Sequence, residues 1–119
     1  GISAKTAQPQ ASFLDVADRD PILALAGLRI EIESRLRKIA ERRGMPDSQP
    51  LMRLVHEMRH DESMESRLVS GLRDLIPLLN TAIHAGRVEP DAADWALRAG
   101  PEILAVLDAK LEDGQRRDQ

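Results

Sequence analysis

Apolar residues recur every three or four positions along much of this chain, which is the spacing of one face of an α-helix. The stripe that carries the most unusual polar residues lies between Glu62 and Val88. Its apolar positions are Leu68, Leu72, Leu75, Leu79 and Ile83. The spacing predicts a helix, and Gly86 is expected to end it because glycine adopts the left-handed conformation most easily.

An earlier stripe predicts a helix from Pro21 to about Arg43. Asp20 is expected to cap its start, because a carboxylate before a proline commonly begins a helix, and Gly44 is expected to end it. The positions predicted to face the core are Ile22, Leu25, Leu28, Ile32, Leu36 and Ile39.

Two further helices complete the pattern. A short one is predicted from about Pro50 to His60, capped by Asp47 or Ser48, and a long one from about Pro90 to Leu111. Internal prolines predict a kink or division at Pro77 and a bend at Pro101. The predicted fold is therefore an all-α, four-helix, up-down bundle over residues 20–112. Residues 1–19 are expected to form a flexible lead-in, in which Phe13, Leu14 and Val16 touch the core, and residues 113–119 a frayed tail.

Two helices carry a second apolar side. The first helix shows Leu23, Gly27, Ile30 and Ser34 opposite its core stripe, where a surface helix is usually charged. The last helix shows Trp95 and Val106 on its back. One explanation is that the N-terminal segment covers the first of these sides. The other is a homodimer interface formed by Leu23, Ile30, Trp95 and Val106.

Composition narrows the class of protein. The 119 residues are 42% hydrophobic and 31% charged, with one Phe, one Trp and no Tyr, so the core must be aliphatic. This favours packed helices. The net charge of −3 argues against a broadly basic nucleic-acid surface. The chain starts Gly-Ile-Ser without Met, so we expect it to be a piece of a larger protein, with a membrane anchor or a second domain upstream. We expect a cytoplasmic location, with contact to a membrane only through such an upstream segment.

Most catalytic templates do not fit. With no cysteine, thiol nucleophiles and zinc–thiolate sites are excluded. His56 and His60 have a spacing that can bind metal, but both are expected to face solvent, and we predict neither a metal nor a cofactor. Asn80 and His84 are the remaining candidates for a functional site. They lie one turn apart beside the core stripe, near the predicted helix end.

The order and lengths of the predicted helices, together with the run LLNTAIHAG, resemble HEPN-superfamily domains of a bacterial type, over about residues 20–111. The resemblance implies a small helical bundle that commonly dimerises. In catalytic members an arginine and a histidine, often with an asparagine directly after the arginine, form a metal-independent ribonuclease. His84 and Asn80 match the histidine and the asparagine, but Leu79 occupies the arginine position.

Without that arginine the imidazole lacks a cation to stabilise phosphate charge. Arg73 lies about 16 Å from His84 along the helix, so it can serve only across a dimer, whereas Arg87 is nearer. Three roles remain open for Asn80 and His84. They can pin the helix end, with Asn80 bonded to a loop backbone and His84 to terminal carbonyls; they can bind a ligand together with Arg73 and Arg87; or they can catalyse.

We expect the domain to be a non-catalytic helical interaction or oligomerisation module, forming a homodimer or docking another protein. The alternatives are a HEPN-type ribonuclease using His84 and Asn80, or an RNA- or nucleotide-binding module without cleavage. A concave basic patch containing Arg67, Arg73, His84 and Arg87 would favour the binding module.

Overall fold

A computed structural model describes residues 16–46, 48–62 and 64–118, with side chains up to residue 113. These ranges contain no strand and form four helices of eight or more residues, which agrees with the predicted all-α class. The helices are α1 (Pro21–Arg42), α2 (Leu51–Met58), α3 (Ser66–Ala85) and α4 (Pro90–Asp118).

The predicted ends of α1 and α3 are confirmed. The Asp20 carboxylate caps α1 by accepting a hydrogen bond of 3.1 Å from the Leu23 backbone N–H. Gly44 follows α1 with a φ of +71°, and Gly86 ends α3 with a φ of +69°. Both glycines are left-handed, a conformation that costs glycine little because it has no Cβ. An added Cβ would meet no atom within 4 Å at either position, so backbone conformation alone explains the glycine.

Two other predicted features of the helices are not found. Pro50 precedes α2 without a side-chain cap, so the predicted cap by Ser48 is wrong, while Asp47 lies outside the described residues. Helix α3 is not divided at Pro77, since Ile76 and Leu79 on either side of it are fully buried and hold the adjoining turns in the core.

Helix α4 runs through Pro101 and continues to Asp118, past the predicted end at Leu111. Arg42 of α1 donates a 2.5 Å hydrogen bond to the Leu111 carbonyl, which ties this part of α4 to the bundle. Residues 113–118, which were predicted to fray, belong to this helix. At the other end Val16 packs against the core, whereas the predicted contacts of Phe13 and Leu14 lie outside the described residues.

Helix α1 is the centre of the fold, because it contacts each of the other three helices and packs most extensively against α4. The closest approach is at Gly100, where an added Cβ would lie 2.5 Å from Leu28 Cδ2. The predicted α1 stripe is buried apart from the half-buried Ile22. The largest side chains with no exposed surface include Leu25, Leu28, Ile32, Leu36, Leu72, Leu75, Leu79, Leu104 and Leu107.

A buried arginine also joins α1 to α4. Arg35 Nε donates to Asp108 Oδ1 at 2.8 Å, and Arg35 Nη1 donates to Glu31 Oε1 at 2.6 Å. Burial alone would lower the pKa of Arg35, but the hydrogen bonds and charges of Glu31 and Asp108 outweigh it and raise that pKa above its ordinary value. The guanidinium therefore stays charged inside the helix pair.

Across the described ranges, every helix is too short or too polar to cross a lipid bilayer.

Candidate functional site

The last turns of α3 place Asn80 and His84 beside α1. Leu79 belongs to the apolar stripe of α3 and is fully buried. Asn80 and His84 lie on the flank of that stripe, at the edge of the core, where Asn80 is half-buried and His84 is exposed. Together with α1 they line a recess of about 300 Å³. We call this the α1–α3 recess; it is lined by Ala26, Arg29, Ile30, Asn80, Ile83 and His84.

Asn80 has a charged partner on another helix. Arg29 Nε donates to Asn80 Oδ1 at 2.5 Å across 51 residues of sequence. The expectation that Asn80 bonds to a loop backbone is therefore wrong. Arg29 was not among the predicted site residues, although it is the only charged residue between Pro21 and Ile30, in a segment that is otherwise apolar or small.

Glu33 extends this contact into a network along α1. Its Oε1 accepts from Arg29 Nη1 at 2.7 Å, and its Oε2 accepts from Arg37 Nη2 at 2.7 Å. Arg37 Nη1 also donates to the Gln49 carbonyl at 2.9 Å, ahead of α2. Burial tends to raise the pKa of Glu33, but its hydrogen bonds and charge interactions with Arg37 and Arg29 prevail and lower that pKa from its ordinary value.

The predicted basic residues do not meet in one patch. His84 lines the α1–α3 recess, Arg87 lines a separate groove beside the Gly86 turn, and Arg67 lines a third recess between α3 and α4. Arg73 is exposed on α3 two turns before Asn80. None of these three recesses is lined by more than one of the residues Arg67, Arg73, His84 and Arg87.

His84 has no described group to orient it. It lies exposed in the last turn of α3, and none of the hydrogen bonds within the described residues involves its ring. The expected bonds from His84 to terminal carbonyls are likewise not formed among these residues. His56 and His60 are exposed, as predicted, and their rings lie 6.3 Å apart. No cluster of three metal-ligating side chains occurs among the described residues.

The polar groups that line the recess are mainly hydrogen-bond donors. Arg29 contributes a guanidinium, Asn80 contributes its amide N–H groups and His84 contributes an imidazole, while the other lining residues are aliphatic. Its lining contains no carboxylate, although Glu33 neutralises one edge of Arg29 from outside. Such a set of donors suits an anionic group better than a cation.

A second surface adjoins the recess on α1. Leu23 and Ile30 are 56% and 63% exposed, and the small residues Ala26 and Gly27 lie half-buried between them. We call these four residues the α1 surface. Ala26 and Ile30 also line the α1–α3 recess, so the apolar surface and the polar donors are continuous.

The four predicted interface residues do not share one surface. Leu28 faces Gly100 of α4, and Leu23 and Ile30 lie about 220° and 200° round α1 from Leu28, on the side away from α4. Val106 instead lines the recess between α3 and α4, which we call the α3–α4 groove. Trp95 is half-buried against the core. Helix α1 therefore separates Leu23 and Ile30 from Val106.

Comparisons with family models, with curated proteins and with solved structures find no match to this chain.

Proposed function

We propose that this domain is a non-catalytic helical interaction module and that the α1 surface is its docking site. The observation that carries the proposal is the exposure of Leu23 and Ile30, at 56% and 63%, on one face of the helix around which the core is built. Scattered exposed apolar residues are ordinary, but grouped ones beside small residues are typical of protein-binding surfaces. Because α1 is anchored on its other sides, it presents this face rigidly.

The polar residues beside the surface support a role other than catalysis. Leu79, at the position that the HEPN resemblance assigns to an arginine, is fully buried in the core. The Asn80 side-chain oxygen is occupied by Arg29. A general base is usually held in place by a third group, and no described side chain holds His84. These contacts favour a structural role for Asn80, which links α3 to α1 beneath the docking face.

Site-specific photo-crosslinking tests the docking site whatever the partner is. A photoreactive amino acid is introduced at Leu23 or Ile30 in the full-length protein, in cells that normally express it. We expect a discrete product of higher mass from both positions. The matched control is Val106, which is also an exposed apolar residue on a helix but lies in the α3–α4 groove. Products from Val106 alone, or from none of the three, would contradict the proposal.

A second candidate, an RNA- or nucleotide-binding module without cleavage, is favoured by one observation. Arg29 lies in the same recess as Asn80 and His84, so a cation is present there although Leu79 replaces the expected arginine. Phosphate contacts of this kind weaken steeply with salt. We expect Arg29→Ala to reduce any salt-sensitive RNA retention, whereas Arg98→Ala, which removes an exposed arginine on α4, leaves it unchanged.

The same preparation tests the ribonuclease alternative. Structured and single-stranded RNA are incubated with the chain and with His84→Ala in the absence of metal, and we expect neither protein to cut them. Cleavage by the parent that disappears in His84→Ala would overturn the non-catalytic proposal. Retention that is equal for the parent and Arg29→Ala would remove the binding-module candidate.

A further inference from the structure

We infer that the partner of the α1 surface is a second copy of this chain, packed antiparallel about a two-fold axis that passes between Ala26 and Gly27. This inference rests on the proposed function, because it uses the same docking site. It adds the identity of the partner and the register in which the two helices meet.

The size pattern of the α1 surface is complementary to itself. Two large exposed residues, Leu23 and Ile30, flank two small ones, and the midpoint of the pair lies between Ala26 and Gly27. When a copy is turned end for end about that midpoint, Leu23 lies against Ile30 of the second copy, and the same contact forms twice. The small residues meet at the centre, where they let the two helix backbones approach closely.

Charges beyond the apolar centre favour the same orientation. Arg19 lies just before α1, at the N-terminal end of the surface, and Glu33 lies beyond its C-terminal end. Arg19 is exposed. In the antiparallel register Arg19 lies about 1.5 Å along the helix from the level of Glu33 of the second copy, and the two-fold axis repeats this contact at the other end. Opposite charges then meet at both ends.

A parallel arrangement about the same centre loses both advantages. Leu23 would face Leu23 and Ile30 would face Ile30, while Arg19 would lie against Arg19 and Glu33 against Glu33. Like charges placed opposite each other disfavour a wrong partner or orientation. The sequence of the surface thus selects the antiparallel register.

The area that the α1 surface can bury limits the affinity of the dimer. A specific interface usually buries about 800 Å² from each partner, which is more than a few turns of one helix supply. The rim of the α1–α3 recess adjoins the α1 surface, and its half-buried Ile83 adds apolar area. We therefore expect dimers to be present at tens of micromolar and to dissociate on dilution.

Engineered cysteines test the register directly, because the native chain has none to interfere. Under mild oxidation Ala26→Cys, close to the axis, is expected to form a disulfide-linked dimer. Leu23→Cys alone and Ile30→Cys alone are expected not to, because each such pair is separated by about 10 Å along the helix. A mixture of the Leu23→Cys and Ile30→Cys proteins should crosslink as heterodimers. Val106→Cys is the control for random collisions.

Each outcome bears on one proposal or on both. Self-crosslinking of Leu23→Cys and of Ile30→Cys, without heterodimers, would overturn the antiparallel register. A clean monomer by sedimentation at tens of micromolar, with no crosslinking of any variant, would overturn the second copy as partner, while photo-crosslinks from Leu23 and Ile30 in cells would leave the docking site intact. If the photo-crosslinks fail as well, both proposals fall.

Discussion

Asn80 matters at the scale of single residues because its side chain bridges two helices. Removing it leaves Arg29 Nε, in a half-buried site, without its acceptor. Hydrogen bonds to charged groups contribute about 1.5–3 kcal/mol, less where water can replace the partner. We therefore expect Asn80→Ala to lower the free energy of unfolding by about 1–2 kcal/mol in urea titrations, and Thr81→Ala, at its exposed neighbour, to change it little.

A double-mutant cycle separates this bond from other effects of the substitution. Arg29→Ala and Asn80→Ala remove the same contact, so their losses should not add when the two are combined. Strictly additive losses would show that the two side chains contribute independently, and would leave a ligand-binding role as the better explanation of Asn80.

Glu33 gives the network a predictable pH dependence. Its pKa is lower in the folded state than its ordinary value of 4.5, so the folded state binds fewer protons there than the unfolded chain. The stabilisation from Glu33 is thus complete above about pH 4.5 and is lost as the pH falls through the lower folded value. We expect Glu33→Gln to be less stable than the parent at pH 7 and this difference to shrink below pH 4.5.

Glu41→Gln is the control for this comparison, since Glu41 is exposed on α1 and forms no described ion pair. Its effect on the free energy of unfolding should be small and nearly independent of pH. A Glu33→Gln variant that differs from the parent equally at pH 7 and at pH 3 would exclude the assigned linkage.

At the scale of whole elements, the packing of α1 against α4 depends on Gly100. A methyl group there would lie 2.5 Å from Leu28 Cδ2 and 2.7 Å from Leu28 Cδ1, so the fully buried Leu28 side chain would have to shift. Overpacking of this kind costs about 1–3 kcal/mol. The higher helix propensity of alanine offsets up to about 1 kcal/mol of this cost, so we expect Gly100→Ala to destabilise the fold by up to about 2 kcal/mol in chemical denaturation.

Gly71→Ala is the matched control within the same bundle. Its new methyl would lie 3.5 Å from Ile103 Cδ1, an ordinary contact, and alanine favours a helix over glycine by up to about 1 kcal/mol. The variant should be as stable as the parent or more so. Equal destabilisation by both substitutions would argue against a close α1–α4 approach as the cause.

The elements themselves were largely predictable because local chemistry decides them. Asp20, Gly44 and Gly86 act on their own neighbours in sequence, so the bounds of α1 and the end of α3 follow from short-range rules. The start of α2 at Leu51 agrees with the prediction, but its cap was misjudged, because Pro50 occupies the N-cap position and Ser48 forms no cap. Helix α4 continues past the predicted end at Leu111, and no local sequence signal predicts this extension.

Only part of the candidate site could be predicted, because a sequence pattern indicates local neighbours and not contacts between distant segments. The helical period alone places Asn80 and His84 side by side. Their partner Arg29 is 51 residues from Asn80, and no local pattern reports a pairing at that distance. The same holds for Leu23 and Val106, whose periodicity indicates exposed apolar faces but not that α1 separates them.

Dimerisation belongs to the scale of the whole molecule, and it makes thermal stability depend on concentration. A second copy that binds only the folded state stabilises it by mass action, and each kcal/mol gained raises the melting temperature of a domain this size by about 4–8 °C. We expect the melting temperature to rise with protein concentration for the parent and for Val106→Lys, but not for Ile30→Lys. Parallel behaviour of all three proteins would count against the α1 surface.

The central position of α1 has a consequence for synthesis of the protein. Its most extensive contacts are with α4, and its ion pair from Arg35 to Asp108 spans 73 residues. A ribosome releases α1 first and α4 last, so the stripe from Leu25 to Ile39 has no α4 to cover it while the intervening helices are made. Native packing of this stripe therefore waits until α4 has been translated, and a nascent chain stalled before Gly100 would be a natural substrate for chaperones.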